Sequence, residues 1–226
     1  MVRPLVTFDL DGTLVDSAPD LIDTLEVVLA GHGIGPVDRD DARLMIGGGV
    51  RLLVRRALAA ASITVPESEI EALNVRFIEH YAAHIADRTR PFPGMLEALD
   101  ALDARGIAVA VCTNKQERLA RLLLDRLDLT RRFAAITGGD TYGVAKPDAK
   151  PLLATIAAAG GTVGASIMVG DSRADILAAR AAAVPVIAVS FGYTDIAPAE
   201  LGADVLIDHF DALGGAVDTL LARAAA

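Results

Sequence analysis

Short β-branched runs that alternate with helical patterns, an over-long interval after the first run, and polar clusters where the runs end predict an α/β fold. The expected architecture is a Rossmann-like parallel sheet core with an inserted α-helical cap. The runs are Leu5 to Phe8, Ile107 to Cys112, Ala134 to Thr137, Ser166 to Val169 and Pro185 to Val189. From Ile107 onward, helical patterns intervene at Arg118 to Leu127, Pro151 to Ala159 and Arg173 to Ala182. Strands joined through helices run parallel, because the crossover has to travel back along the sheet.

The interval between the first two strands is too long for one crossover, so it holds an insertion. Ser17 stands where a helix bearing Leu21, Leu25, Val28 and Leu29 would start, and Val50 to Ala61 forms a second helical segment. Pro66 opens a third, with Ile70, Leu73, Phe77, Tyr81 and Ile85 as its apolar stripe, read as cap core. Arg90-Pro91-Phe92-Pro93-Gly94 has the rigid turn chemistry expected where the insert rejoins the sheet. The expected division is core at 1–15, helical cap at 16–90 and the rest of the core at 91–226.

With 226 residues and 53% apolar content the chain can bury a substantial core. A net charge of −9 and a pI near 4.9 argue against nucleic acid or an anionic membrane as partner, so an anionic substrate needs a locally positive site. One cysteine, Cys112, excludes an internal disulfide and a cysteine-rich zinc site and fits a reducing compartment. The start Met1-Val2-Arg3-Pro4 lacks the pattern of a secretory signal, and no apolar run approaches the roughly 20 residues that span a bilayer. A cytoplasmic protein acting on a small molecule is the expectation; the pattern specifies no oligomeric state.

Chemistry concentrates in four places. Asp9-Leu10-Asp11-Gly12-Thr13 directly follows the first strand. At strand spacing the two carboxylates share a side, and their repulsion would be relieved by a hard divalent cation such as Mg²⁺. One carboxylate can attack an electrophile while the other serves the leaving group; an acidic solvated turn is the plainer alternative. Thr113-Asn114 offers a hydroxyl, an amide and backbone N–H groups to phosphate oxygens, or else simply caps a helix. Lys146, before Pro147, supplies a compact positive charge for a phosphate and an ionised nucleophile, and its removal is expected to hurt rate more than fold. Asp171 and Asp175, four apart at a helix start, can position a cation or interact with the helix N-terminus. In an open parallel sheet all four lie at one edge.

In this order the four signals resemble the haloacid dehalogenase superfamily of aspartyl phosphatases and phosphotransferases, and the resemblance covers essentially the whole chain. It implies Asp9 as the nucleophile that forms an aspartyl-phosphate and Asp11 as general acid and then base. It also implies Thr113 on the phosphoryl group, Lys146 steadying it, Mg²⁺ on Asp9, the Asp11 carbonyl and Asp171, and Asp175 in support. Dehalogenating members lack the second aspartate, which is present here. Phosphonate-cleaving relatives use a cap lysine, and the expected cap contains none.

Within the superfamily, Val169 to Ala182 and the continuation Ser190-Phe191-Gly192-Tyr193 look most like the phosphoglycolate phosphatase group. Ile46-Gly47-Gly48-Gly49-Val50-Arg51 is similar to that group's specificity loop. Its glycines, Gly48 among them, let backbone approach a small ligand, and Arg51 can fork onto a carboxylate or remain solvated. Ala183 departs from the glycine usual in relatives; a left-handed backbone there would cost roughly 1 kcal/mol. His80 and His84, four apart on a helix, lack a complete metal-ligand set and are read as structural. The expected activity is therefore Mg²⁺-dependent hydrolysis of a small phosphomonoester, 2-phosphoglycolate first. A broad sugar-phosphate phosphatase, a phosphosugar mutase and a noncatalytic phosphometabolite-binding regulator stand as alternatives.

Overall fold

The computed structural model describes residues 3–224; Met1, Val2, Ala225 and Ala226, at the ends of the expected core segments, lie outside the described residues. The chain begins with β1 (Leu5–Phe8) and a short β2 (Val15–Asp16). Four helices follow: α1 (Ala18–Leu29), α2 (Arg39–Leu44), α3 (Val50–Ala60) and α4 (Glu67–Ala83). A two-residue β3 (Arg90–Pro91) then pairs antiparallel with β2, so the helical insert leaves and rejoins the core through one ribbon. The remainder alternates as α5 (Met95–Ala104), β4 (Ala108–Cys112), α6 (Glu117–Arg126), β5 (Ile136–Thr137), α7 (Ala149–Ala158), β6 (Ser166–Gly170), α8 (Arg173–Ala181) and β7 (Val186–Val189). It ends with β8 (Val205–Ile207) and α9 (Leu213–Ala224).

Among the described residues, six strands form a parallel sheet in the order β5-β4-β1-β6-β7-β8. β1 lies at its centre, with Phe8 opposite Val111 of β4 and Val169 of β6. That register brings the residues after these three strands to one edge, where parallel sheets bind ligands. Alternation along the strands supplies both faces. Val6, Phe8, Val109, Val111, Ile167 and Val169 join the cluster containing α5, α6, α9 and the insert. Leu5, Ala110, Cys112, Met168 and Val186 pack with Leu152 and Ile156 of α7 and Ile176 of α8.

The insert has its own apolar seam, from Leu25 of α1 through Leu53 of α3 to Leu73 and Phe77 of α4, all essentially inaccessible to solvent. Each such side chain contributes about 1.5–3 kcal/mol by leaving water. Several elements lie outside the expected set. β2 and β3 are two residues each, too short for a periodic signal, and in β8 Val205 is half-buried and Leu206 exposed. Ser17 occupies the N-cap position of α1, but its hydroxyl makes no capping bond. Ala183 does adopt the left-handed backbone, at φ +53°.

The histidines have local partners. His80 Nδ1 lies 3.3 Å from Thr24 Oγ1, and His84 pairs with Asp87 at 2.8 Å. No helix among the described residues is long and apolar enough to cross a membrane.

Candidate active site

At the end of β1 the Asp9 N–H donates to Val169 O at 2.9 Å, keeping Asp9 in the sheet, and Leu10 N–H donates to Asp9 Oδ1 at 2.7 Å. The chain then turns: Thr13 and Leu14 N–H return to Leu10 O, and Gly12 sits at φ +83°. A Cβ on Gly12 would come within 2.9 Å of the Tyr193 ring and collide with Asp171, so only glycine fits. This turn, not strand alternation, decides where Asp11 points. Its Oδ1 accepts from Ser17 Oγ at 2.6 Å, and both its oxygens lie 2.8 Å from Lys115 Nζ. Asp11 lines the same cavity as Asp9 but is not part of the cluster made by Asp9, Asp171 and Asp175, each of which offers one oxygen within 4.8 Å of the others.

Asp171 follows β6. Its Oδ1 accepts from Thr13 Oγ1 at 2.9 Å and its Oδ2 from Tyr193 N–H at 2.7 Å. Asp175 lies in the first turn of α8, where its Oδ2 accepts from both Ser172 N–H and Ser172 Oγ in a capping box. Its Oδ1 accepts from Lys146 Nζ at 2.5 Å. Lys146, 1% exposed at its side chain, also donates to Cys112 O at 2.7 Å and stands 3.1 Å from Asp9 Oδ1. Asn114 braces the lysine: Lys146 N–H donates to Asn114 Oδ1 at 2.9 Å, and Asn114 Nδ2 donates to Lys146 O at 3.0 Å. The Asn114 carboxamide, expected on phosphate, is thus engaged with protein backbone, leaving its N–H as the group available to a ligand. Thr113 ends β4 with its N–H on Thr137 O, and its hydroxyl accepts from Lys115 N–H at 3.2 Å.

Burial raises Asp9 to about 6, with the Lys146 charge opposing the rise and Asp175 adding to it. Asp171 is pushed up to about 8 by burial, then by the neighbouring Asp175 and Asp9 charges. Lys146 is held firmly protonated: burial works against its charge, but Asp175 and Asp9 outweigh it. Three clustered buried carboxylates, of which Asp9 and Asp175 share the Lys146 ammonium, leave excess negative charge in a low-dielectric setting, and hard oxygen donors suit a divalent cation of the Mg²⁺ type. Asp9 and Asp171 keep lone pairs free for it. Both Asp175 oxygens are engaged by protein donors, with Oδ2 taking two, which favours a supporting part for that residue.

Asp9, Asp11 and Thr113 open into a cavity of about 690 Å³ whose far wall is the cap, including Gly48, Arg51 and Tyr81. Arg51 is turned toward Glu67 and pairs with it within the cap. Thr13, Ser17, Lys115 and Tyr193 contribute to the site but were not read as site residues: Thr13 and Tyr193 stood only within motifs, Ser17 as a helix start, and Lys115, a lysine directly after Thr113-Asn114 at a strand end, was not singled out.

A family model for haloacid dehalogenase-like hydrolases matches residues 6–189, spanning the nucleophile turn, the insert and the strands that carry Thr113, Lys146 and Asp171. The chain belongs to the haloacid dehalogenase-like hydrolases. Family phosphatases generally use a divalent metal, and the buried aspartate cluster stands where such an ion would be held. Among curated relatives in this hydrolase family, the phosphoglycolate phosphatase of Agrobacterium fabrum is 53% identical over 226 residues, covering 100% of this chain and 97% of its own. The N-acetylmuramic acid 6-phosphate phosphatase of Pseudomonas aeruginosa is 36% identical, with 90% of each chain covered. A crystal structure described as a predicted phosphoglycolate phosphatase from Haemophilus somnus 129pt superposes with a TM-score of 0.88 at 29% identity, covering 95% of this chain and 97% of that one.

Proposed function

We propose that the protein hydrolyses 2-phosphoglycolate to glycolate and phosphate in a Mg²⁺-dependent reaction through phospho-Asp9. The observation that carries the chemistry is the state of Asp9: it lines the cavity, and its Oδ1 is engaged by Leu10 N–H and Lys146 while its Oδ2 accepts no hydrogen bond from the described residues. A carboxylate oxygen held in place yet unpartnered is a nucleophile in waiting.

In this reading Asp9 Oδ2 attacks phosphorus in line, and the phosphorus–oxygen bond to glycolate breaks. Asp11 gives its proton to the departing oxygen and later takes one from the water that attacks phospho-Asp9, releasing phosphate. Thr113 and the Asn114 N–H hold phosphoryl oxygens, and Lys146 keeps nucleophile and phosphate together against their repulsion. Asp9, Asp171 and the Asp11 carbonyl would hold the cation, which when bound offsets carboxylate and phosphoryl charge. Residues 16–90 act as a lid on a core made of 1–15 and 91–226, and Gly48 and Arg51 present the lid's inner surface to the substrate. A cytoplasmic setting fits the lone buried thiol of Cys112, which burial keeps protonated.

The substrate rests on the relatives, chiefly the one at 53% identity over the whole chain. A second reading, a larger sugar phosphate, draws on the 690 Å³ cavity, which exceeds what a two-carbon substrate fills, and on the relative at 36% identity. Phosphate release with Mg²⁺ from 2-phosphoglycolate, hexose phosphates, N-acetylmuramic acid 6-phosphate and pyrophosphate decides between them. Release from 2-phosphoglycolate that falls at least about 10⁴-fold in Asp9→Asn is the expected result. Preference for a sugar phosphate would keep the chemistry and replace the substrate; full turnover by Asp9→Asn would end both.

A further inference from the structure

Lys115 lines the cavity, and its place there is not explained by holding phosphate or cation. Its side chain is 5% exposed, and its ammonium sits 2.8 Å from both oxygens of Asp11 and 4.6 Å from the centroid of the Tyr81 ring. Two residues after Thr113, it faces the same cavity as Asp9. The other cationic side chain on that cavity's wall, Arg51, is exposed and already paired with Glu67. Lys146 is enclosed by Asp9, Asp175 and Cys112 O.

We propose that Lys115 is the specificity residue for the substrate's carboxylate, exchanging its ion pair with Asp11 for one with that carboxylate as the substrate enters. The proposal rests on the phosphoglycolate reading and adds a selection device to it. A lysine is suited to the exchange because its ammonium is a compact charge on a flexible stem. The exchange does not strand Asp11, since Ser17 Oγ continues to hold its Oδ1 at 2.6 Å. It leaves the Asp11 oxygens free of the ammonium and able to reach the leaving oxygen. A phosphomonoester without a carboxylate offers nothing to draw Lys115 away, so Asp11 stays occupied.

A second observation points to a ligand in the same place. Tyr81 comes from the cap, is fully buried, lines the cavity, and its hydroxyl finds no hydrogen-bond partner among the described residues. A buried hydroxyl without a partner costs free energy unless a ligand satisfies it. A carboxylate paired with Lys115, beside the Tyr81 ring, supplies an acceptor from the core side to a donor from the cap. The substrate would then help to tie the cap to the core.

The test uses the protein with Mg²⁺ and compares 2-phosphoglycolate with its carboxyl methyl ester and with ethyl phosphate, which keep the phosphate but lack the carboxylate charge. In the wild type, kcat/KM should favour 2-phosphoglycolate by at least about tenfold, the scale of one charged hydrogen bond. Lys115→Met should erase that preference, mainly by raising KM for 2-phosphoglycolate, and Lys115→Arg should restore part of it. Lys115→Gln and the wild-type comparison with the methyl ester carry the same question should Lys115→Met fail to fold. Equal losses on all three substrates, read in kcat, would mean that Lys115 only orients Asp11 and would overturn the proposal. So would a wild type indifferent to methylation. A wild type that hydrolyses hexose phosphates but not 2-phosphoglycolate would remove the substrate reading and this proposal together.

Discussion

The sheet edge and the cap treat charge in opposite ways. At the edge, Asp9, Asp171, Asp175 and Lys146 are buried and each is held by two or more protein groups. On the cap, Arg51 and Arg55 share Glu67 with side chains about half exposed, and Arg76 reaches Glu69 at the surface. Exposed pairs are screened and contribute little to stability, whereas buried ones are costly to break. The centre that would do the chemistry is therefore fixed by its own electrostatics, while the face that would choose the substrate is free to rearrange. Lys115 belongs to the core but borders both regimes, since it is buried like the first and touches Tyr81 of the second.

The largest effect that tests this contrast comes from Lys146→Met. Two buried carboxylates would lose their common counter-charge, and about 3–5 kcal/mol of stability should go with the activity. The sequence reading expects the rate effect to outweigh this fold effect; because Lys146 is enclosed by Asp9 and Asp175, both are to be read on the same variant. Urea unfolding without metal measures it; an unchanged midpoint would show that the core carboxylates do not depend on the lysine.

Next in size is a pH effect without metal. Asp9 and Asp171 have folded values of about 6 and about 8, raised from 3.8, chiefly by burial. The folded state thus binds more protons than the unfolded state above pH 3.8, and stability falls as pH rises. The contribution of these two groups is complete below 3.8 and is lost as pH passes through about 6 and then about 8. In chelator, melting temperature should decline across that window, and Mg²⁺ should restore more at pH 8.5 than at pH 5. Asp171→Asn should flatten the decline. A melting temperature that rises toward pH 8.5 in chelator would contradict the assignment.

Smaller still is Ala183→Gly. Relief of the left-handed backbone at φ +53°, less glycine's greater freedom when unfolded, should leave up to about 1 kcal/mol and raise the melting temperature by about 2–4 °C, with kcat unchanged. The smallest expected stability effect is that of Arg51→Ala, whose side chain is half exposed and pairs with Glu67 at the surface. Its melting temperature should match the wild type. An increase in KM alone would place Arg51 on the substrate, and an unchanged KM would leave it as cap surface.

Legibility in the sequence followed the range of the interactions involved. The central strands and their flanking helices were readable because burial on both faces imposes continuous apolar runs. The turn at Asp11 was not. Period-two alternation stops at Phe8, and the direction of Asp11 is set by Ser17 and by Lys115, which lies 104 residues further along. Asn114 shows the same limit: as a polar residue at a strand end it looked available, yet its carboxamide is engaged by the Lys146 backbone 32 residues away. The β2–β3 ribbon is two residues per strand and gave no pattern to read.

By itself the sequence determined the parallel α/β core, the helical insert and the set of acidic and basic groups brought to one sheet edge, because apolar periodicity and strand order are local properties of the chain. Only the tertiary structure decided how those groups are partnered: Asp9 and Asp175 on Lys146, Asp171 beside them on Thr13 and Tyr193, and Asp11 on Ser17 and Lys115. Burial and Coulomb interaction act through space, and at separations of a few ångströms they depend on where the fold sets each side chain and hardly at all on its distance along the chain.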